Sequence, residues 1–230
     1  MKKMNDEMIV SYLTLRKTIG YVAVGMPVFL VVGSVLVGDC AEIQHSISDY
    51  YHTQMRDGLV GTICAISFFL FAYKGYDVRD FRATRLAAVS ALLVAFFPTI
   101  FTGTPVTPCN DVRPIENVLV KNIHFISALV FFLTLSYISL FLFTRSSRSP
   151  SHQPRPKKAR NRIYRICGYI MLGCLGLLAL YFFWLEEIYP QLEAYNPVFW
   201  LESAALWAFG FSWLTKGKLF YQKKATGPAG

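Results

Sequence analysis

TIGYVAVGMPVFLVVGSVLV, Thr18–Val37, runs twenty residues without a charge. A hydrocarbon layer of about 30 Å needs roughly 20 apolar residues in a helix, so this stretch alone predicts a membrane span. Five more apolar stretches follow: Gly58–Tyr73, Leu86–Phe101, Asn122–Phe143, Ile163–Trp184 and Pro197–Thr215. The chain is 54% hydrophobic and only 16% charged, which is too apolar for a soluble domain of this length. The expected fold is all-α: a polytopic bundle of six transmembrane helices over residues 18–218. An interfacial segment (1–17) precedes it and a tail (219–230) follows it.

Charge gives the expected orientation. Twenty of the 23 Lys and Arg fall at Lys2–Lys17, Lys74–Arg85, Arg145–Arg165 and Lys216–Lys224. All four clusters share one side if the six segments alternate. Arg56, Arg113 and Lys121 lie opposite, with ten of the fourteen acids. The positive-inside bias makes the basic side cytoplasmic, with both termini inside an inner (plasma) membrane. The net charge of +9 is thereby a topology signal, and no nucleic-acid partner is expected. The partner expected is membrane lipid, with homo-oligomerisation open. Cys40 and Cys109 both fall on the outward side, where disulfides persist. They are the candidate pair, although sequence does not set their separation. Cys64, Cys167 and Cys174 read as small apolar core residues.

Between the first two apolar stretches lies the densest chemistry: His45, Ser46, Ser48, Asp49, Tyr50, Tyr51, His52, Arg56 and Asp57. If the second helix extends outward through them, His45, Asp49, His52 and Arg56 share one stripe, at i, i+4, i+7 and i+11. Imidazole and carboxylate on one face suit zinc or another divalent metal, with His45, Asp49, His52 and His124 as ligands. If Ser46 and Ser48 instead cap a later helix, His45 leaves the stripe. His124 and Glu202 sit at similar outward depth, inside apolar segments where ionisable groups need partners. Lys121, Arg56 or His124 is the expected partner of Glu202. The candidate catalytic set is Glu202, His124, Asp57 and Ser48. Asp57 reads equally as a favourable first-turn charge. Tyr50, Tyr51, Trp184, Tyr189, Tyr195 and Trp200 are expected in an outer aromatic belt, and Tyr73, Tyr76 and Trp213 at the inner interface.

The runs Ser46–His52, Arg56-Asp57, Tyr73–Asp77, Phe97-Pro98-Thr99 and Glu202…Phe211-Ser212-Trp213…Lys216-Gly217 resemble a family of bacterial integral membrane proteins. That resemblance implies a small multi-helix inner-membrane protein and carries no activity. Ser48, Asp49, His52 and His124 are similar in kind to the residues of the alkaline ceramidase and adiponectin-receptor superfamily, which are zinc-dependent lipid amide hydrolases. That group has seven helices and an HxxxH in the last. This chain has six apolar segments, and Glu202 stands where the paired histidines would be. Three functions follow as expectations. The first is a ligand-binding outward pocket, with or without a metal, acting on lipid as a hydrolase. The second is a non-catalytic lipid-binding accessory protein, and the third a small proton- or ion-coupled transporter.

Overall fold

A computed structural model describes residues 2–75, 77–101, 109, 117–145 and 155–217, with side chains from residue 12 onward. Tyr76, Asp111, Arg113, Glu116, the core of the basic loop (146–154) and the tail from residue 218 lie outside the described residues. Among the described residues there is helix and no strand. The helices are α1 (Lys2–Gly38), α2 (Arg56–Ala72), α3 (Val78–Phe96), α4 (Val118–Tyr137), α5 (Arg155–Leu180) and α6 (Pro197–Lys216). A π turn, Ile138–Leu142, ends α4. Another, Tyr181–Leu185, leads α5 into a last turn at Glu186–Ile188. Three helical stretches are long and apolar enough to cross a membrane: Tyr12–Gly38, Val118–Leu142 and Arg155–Ile188. The chain is an all-α, multi-pass membrane protein.

Several boundaries move from where hydropathy sets them, for local reasons. Residues 2–17 of the expected interfacial segment are helical and continuous with α1. Helix α3 begins eight residues early because Asp77 caps it: its Oδ1 accepts the N–H groups of Arg79 and Asp80 at 3.0 Å each. The first turns carry Arg79, Asp80, Arg82 and Arg85, which dilute the hydropathy without harming a helix. At its other end α3 stops at Phe96, short of the expected Phe101. Pro98 disfavours helical backbone at Phe97, and Phe97 is extended (φ −111°, ψ 92°). Helix α5 likewise begins at Arg155, inside its basic flank.

Neighbouring helices run antiparallel, so their ends sort into two groups. At one end Arg145 pairs with Asp77 at 2.6 Å, Lys157 donates to Phe143 O, and buried Arg16 donates to Tyr73 Oη and Lys216 O. At the other end α6 is stitched to the α1–α2 connection, and Cys40 is disulfide-bonded to Cys109.

Large apolar side chains line the outside: Leu36, Phe68, Ile126 and Leu177 are all exposed. Small polar ones are buried within, Ser67 donating to Ala88 O and Ser139 to Tyr164 O. That distribution is what a lipid solvent selects, because internal hydroxyls need protein partners there. Helices α1 and α6 clasp most closely. A Cβ on Gly20 would come within 2.8 Å of Gly210 O, and one on Gly210 within 2.8 Å of Gly20 O. Trp207 Nε1 adds a bond to Val24 O at 3.1 Å. Gly168 packs against Leu140, but Gly173 and Gly176 face open space, so they are not packing positions within the chain.

The aromatic belt is corrected in part. Tyr73 and Trp213 are buried core residues with edge-to-face rings 4.9 Å apart, and Tyr50 is fully buried against Phe199. Trp184, Tyr189, Tyr195 and Trp200 are exposed, as a belt requires.

Candidate functional site

The chain between α1 and α2 does not continue either helix. Asp39 adopts a left-handed conformation (φ 48°) just after α1, and residues 48–52 form one 3₁₀ turn. Ser46 Oγ accepts the Asp49 N–H at 3.0 Å, which is the capping alternative, and Thr53 is extended (φ −125°, ψ 176°). Helix α2 therefore starts at Arg56, and the single stripe of His45, Asp49, His52 and Arg56 does not form.

The Pro98 break explains where two of the histidines point. Ending α3 at Phe96 leaves the Phe97 and Thr99 carbonyls without helical donors. His124 Nδ1 lies 2.8 Å from Phe97 O, and His52 Nε2 lies 3.0 Å from Thr99 O. A carbonyl only accepts, so each of these nitrogens carries the proton. For His124 this leaves Nε2 as a bare acceptor, and Ser48 Oγ stands 3.1 Å from it. The arrangement is a serine hydroxyl donating to an imidazole whose tautomer is fixed from behind.

Glu202 holds the serine-bearing segment in place. Its Oε2 accepts the Ile47 N–H at 2.7 Å, across from α6 to the loop. Two further bonds tie the same pieces together: Phe199 N–H to His45 O at 2.9 Å, and Asn196 Nδ2 to Ile43 O at 3.2 Å. The first of these satisfies an early N–H of α6 that has no acceptor within its own helix. Asn196 starts α6 in the left-handed conformation (φ 49°) that its short polar side chain tolerates.

Ser48, His124 and Glu202 form the wall shared by two spaces. Inward lies an apolar cavity of about 70 Å³, bounded by residues such as Met26, Ile66, Val94 and Phe131. Outward lies a crevice of about 550 Å³ between α4 and α5, lined by Phe125, Leu129, Phe182 and Phe183. Those four side chains are also exposed on the outer surface, Phe183 by 74%, so the crevice opens sideways. No family model, curated protein or solved structure matches this chain. The site has to be read from its own geometry.

None of the other candidates lines either space, although Asp49 lies close enough to Glu202 for their charges to interact. Asp57 is exposed in the first turn of α2 and lines neither space. His45 is half-exposed, with Nδ1 3.8 Å from Glu193 Oε1. Asp49 is fully buried. His52 is buried between the ring edges of Tyr51 and Phe101. Arg56 donates to Tyr51 O and stacks on its ring. Among the described residues, no three His, Cys, Asp or Glu side chains are grouped as metal ligands.

Sequence reasoning named Ser48, His124 and Glu202 but missed what joins them. The joining groups are the backbone of Ile47 and Phe97, and a main-chain N–H or C=O has no letter in a sequence. Pro98 is the legible sign, since a proline there ends the helix and leaves carbonyls in need of other donors.

Proposed function

We propose that this chain is a six-span inner-membrane protein, with both termini cytoplasmic, whose outward site hydrolyses an acyl ester of a membrane lipid. Support for the orientation comes from charge: Arg16, Lys74, Arg82, Arg145, Lys157 and Lys216 belong to the helix ends grouped around Tyr73 and Phe143. Arg56 and Lys121 are the basic residues of the opposite end among those described.

The observation that carries the activity is the 3.1 Å contact of Ser48 Oγ with His124 Nε2, with Nδ1 held by Phe97 O. A hydroxyl is a poor nucleophile until a neighbouring base takes its proton, and the base works best when its second nitrogen is oriented. Here a carbonyl does the orienting that a carboxylate does in the usual triad. Ser48 Oγ would attack the ester carbonyl while its proton passes to His124 Nε2. The same proton would then leave with the alcohol half of the lipid. Water, deprotonated by His124, would release the fatty acid and restore the serine. Glu202 is a positioning residue, fixing Ile47 and hence Ser48. The apolar cavity and crevice on either side suit the hydrocarbon part of such a substrate.

A fluorophosphonate probe tests this directly, because a serine activated by a neighbouring base attacks it far faster than an ordinary hydroxyl does. Detergent-purified protein should be labelled at Ser48, with labelling lost in Ser48→Ala and reduced at least tenfold in His124→Gln. Absence of labelling in wild-type protein that is monodisperse and folded would overturn the reading. The site would then be lipid-binding without chemistry.

A further inference from the structure

The crevice offers more than a greasy wall. Its outer rim carries Lys121 from α4 and Glu186 from the last turn of α5. Among the described residues neither has an ion-pair partner; Lys121 Nζ rests 5.8 Å from the Phe125 ring centroid. Two opposite charges on facing helices, not used on each other, stand over a space whose walls are Phe125, Leu129, Phe182 and Phe183 and whose floor is Ser48 and His124. The π turn Tyr181–Leu185 falls on this stretch of α5. Such turns are uncommon and frequently fall at functional positions, because the extra residue re-aims the side chains around it; the other one, Ile138–Leu142, lies outside the crevice.

We infer that the substrate is a zwitterionic glycerophospholipid that enters sideways from the bilayer between α4 and α5. Its phosphate meets Lys121 and its ammonium meets Glu186. This rests on the hydrolase reading for its chemistry but on independent residues for its selectivity. A lipid already standing in the outer leaflet needs only to move its acyl chain laterally into the crevice. Its ester linkages lie just below the phosphate, the same order in which Lys121 and then Ser48 are met from the rim inward. A headgroup with phosphate alone would leave Glu186 facing an anion, and a neutral diacylglycerol would leave both rim charges without a counterpart. In a site partly shielded from water, one charge-assisted contact is worth about a tenfold preference.

The test uses unilamellar vesicles of phosphatidylcholine containing labelled phosphatidylethanolamine, phosphatidylglycerol or diacylglycerol, with the full chain reconstituted. Wild type should release fatty acid from phosphatidylethanolamine about tenfold faster than from phosphatidylglycerol. Glu186→Gln should erase that difference. Lys121→Gln should erase the preference for phosphatidylglycerol over diacylglycerol and shrink that for phosphatidylethanolamine to what Glu186 alone supplies. Ser48-dependent release that ignores the headgroup, in wild type and both variants, would overturn the selectivity and leave the hydrolase intact. Native mass spectrometry of Ser48→Ala separates the converse case. Retention of phosphatidylethanolamine that is lost in Ser48→Ala/Lys121→Gln, with no turnover by wild type, would remove the hydrolase and keep the lipid site. Neither retention nor headgroup-dependent release would end the inference altogether.

Discussion

Replacing Glu202 separates two things its carboxylate does. In Glu202→Leu the 2.7 Å bond to the Ile47 N–H is lost, and Ile47 is buried, only 5% exposed. The N–H is then left without an acceptor away from water. A bond to a charged group is worth about 1.5–3 kcal/mol, and a buried donor left unmade costs a similar amount. About 2 kcal/mol is therefore expected, or roughly 4–8 °C in apparent Tm for a chain of this size. Glu202→Gln keeps an oxygen in the same place for the Ile47 N–H and loses at most the charge assistance, no more than about half of the bond. It should fall by no more than roughly 2–4 °C on the same scale. Tryptophan fluorescence during heating in detergent reads this well, since Trp200, Trp207 and Trp213 share α6 with Glu202. Below the transition, fluorophosphonate labelling of Ser48 should slow in Glu202→Leu and remain near wild type in Glu202→Gln. Equal shifts for the two variants, or none for leucine, would refute the idea that Glu202 secures the loop through Ile47.

Three further outcomes are expected. Gly20→Ala and Gly210→Ala force backbone apart at the α1–α6 crossing and should each cost about 1–3 kcal/mol by thermal melt. Gly25→Ala and Gly176→Ala meet nothing within 4 Å and should be neutral or stabilising by up to about 1 kcal/mol. Burial pushes the Tyr50 phenol up to about 12, against about 10 in an unfolded chain. The fold then holds a proton that the unfolded state has lost, so stability should fall between pH 10 and 12. Tyr50→Phe should flatten that limb of a Tm-against-pH curve, and an unchanged slope would count against the burial account. Breaking the Cys40–Cys109 bridge, which spans 69 residues, costs at most roughly 4 kcal/mol by loop entropy. Cys40→Ser should lower the apparent Tm in non-reducing detergent, and dithiothreitol should do the same to wild type.

How much could be read beforehand depends on which signals live in side chains. The apolar runs carry the helical, multi-pass architecture, and the position of Cys40 and Cys109 on the same side of alternating segments is enough to nominate the bridge. Charged first turns hid the start of α3, since a hydropathy window penalises Arg79, Asp80, Arg82 and Arg85 although Asp77 caps them efficiently. The single stripe of His45, Asp49, His52 and Arg56 requires a continuous helix, which the Ser46 cap and the extended Thr53 prevent. Glu202 was recognised as needing a partner, and Lys121, Arg56 and His124 were the candidates that sequence could offer. The partner is instead the N–H of Ile47, one of more than two hundred chemically identical groups. Tyr73 and Trp213 are residue types that suit an interface, yet both are buried against each other, because burial depends on which face of the helix meets its neighbours.

The α1–α6 clasp has a consequence for how the protein is made. Val24 and Trp207, bonded across it, are 183 residues apart. At 5–20 residues per second of synthesis, α1 waits on the order of ten to forty seconds in the bilayer before its partner emerges. During that time the Gly20 face of α1 has only lipid, or the insertion machinery, to rest against. The bundle is closed by its latest arrival. A ribosome stalled before residue 197 would therefore leave an open sheath of helices, with the serine-bearing loop unanchored, for quality-control proteases to recognise.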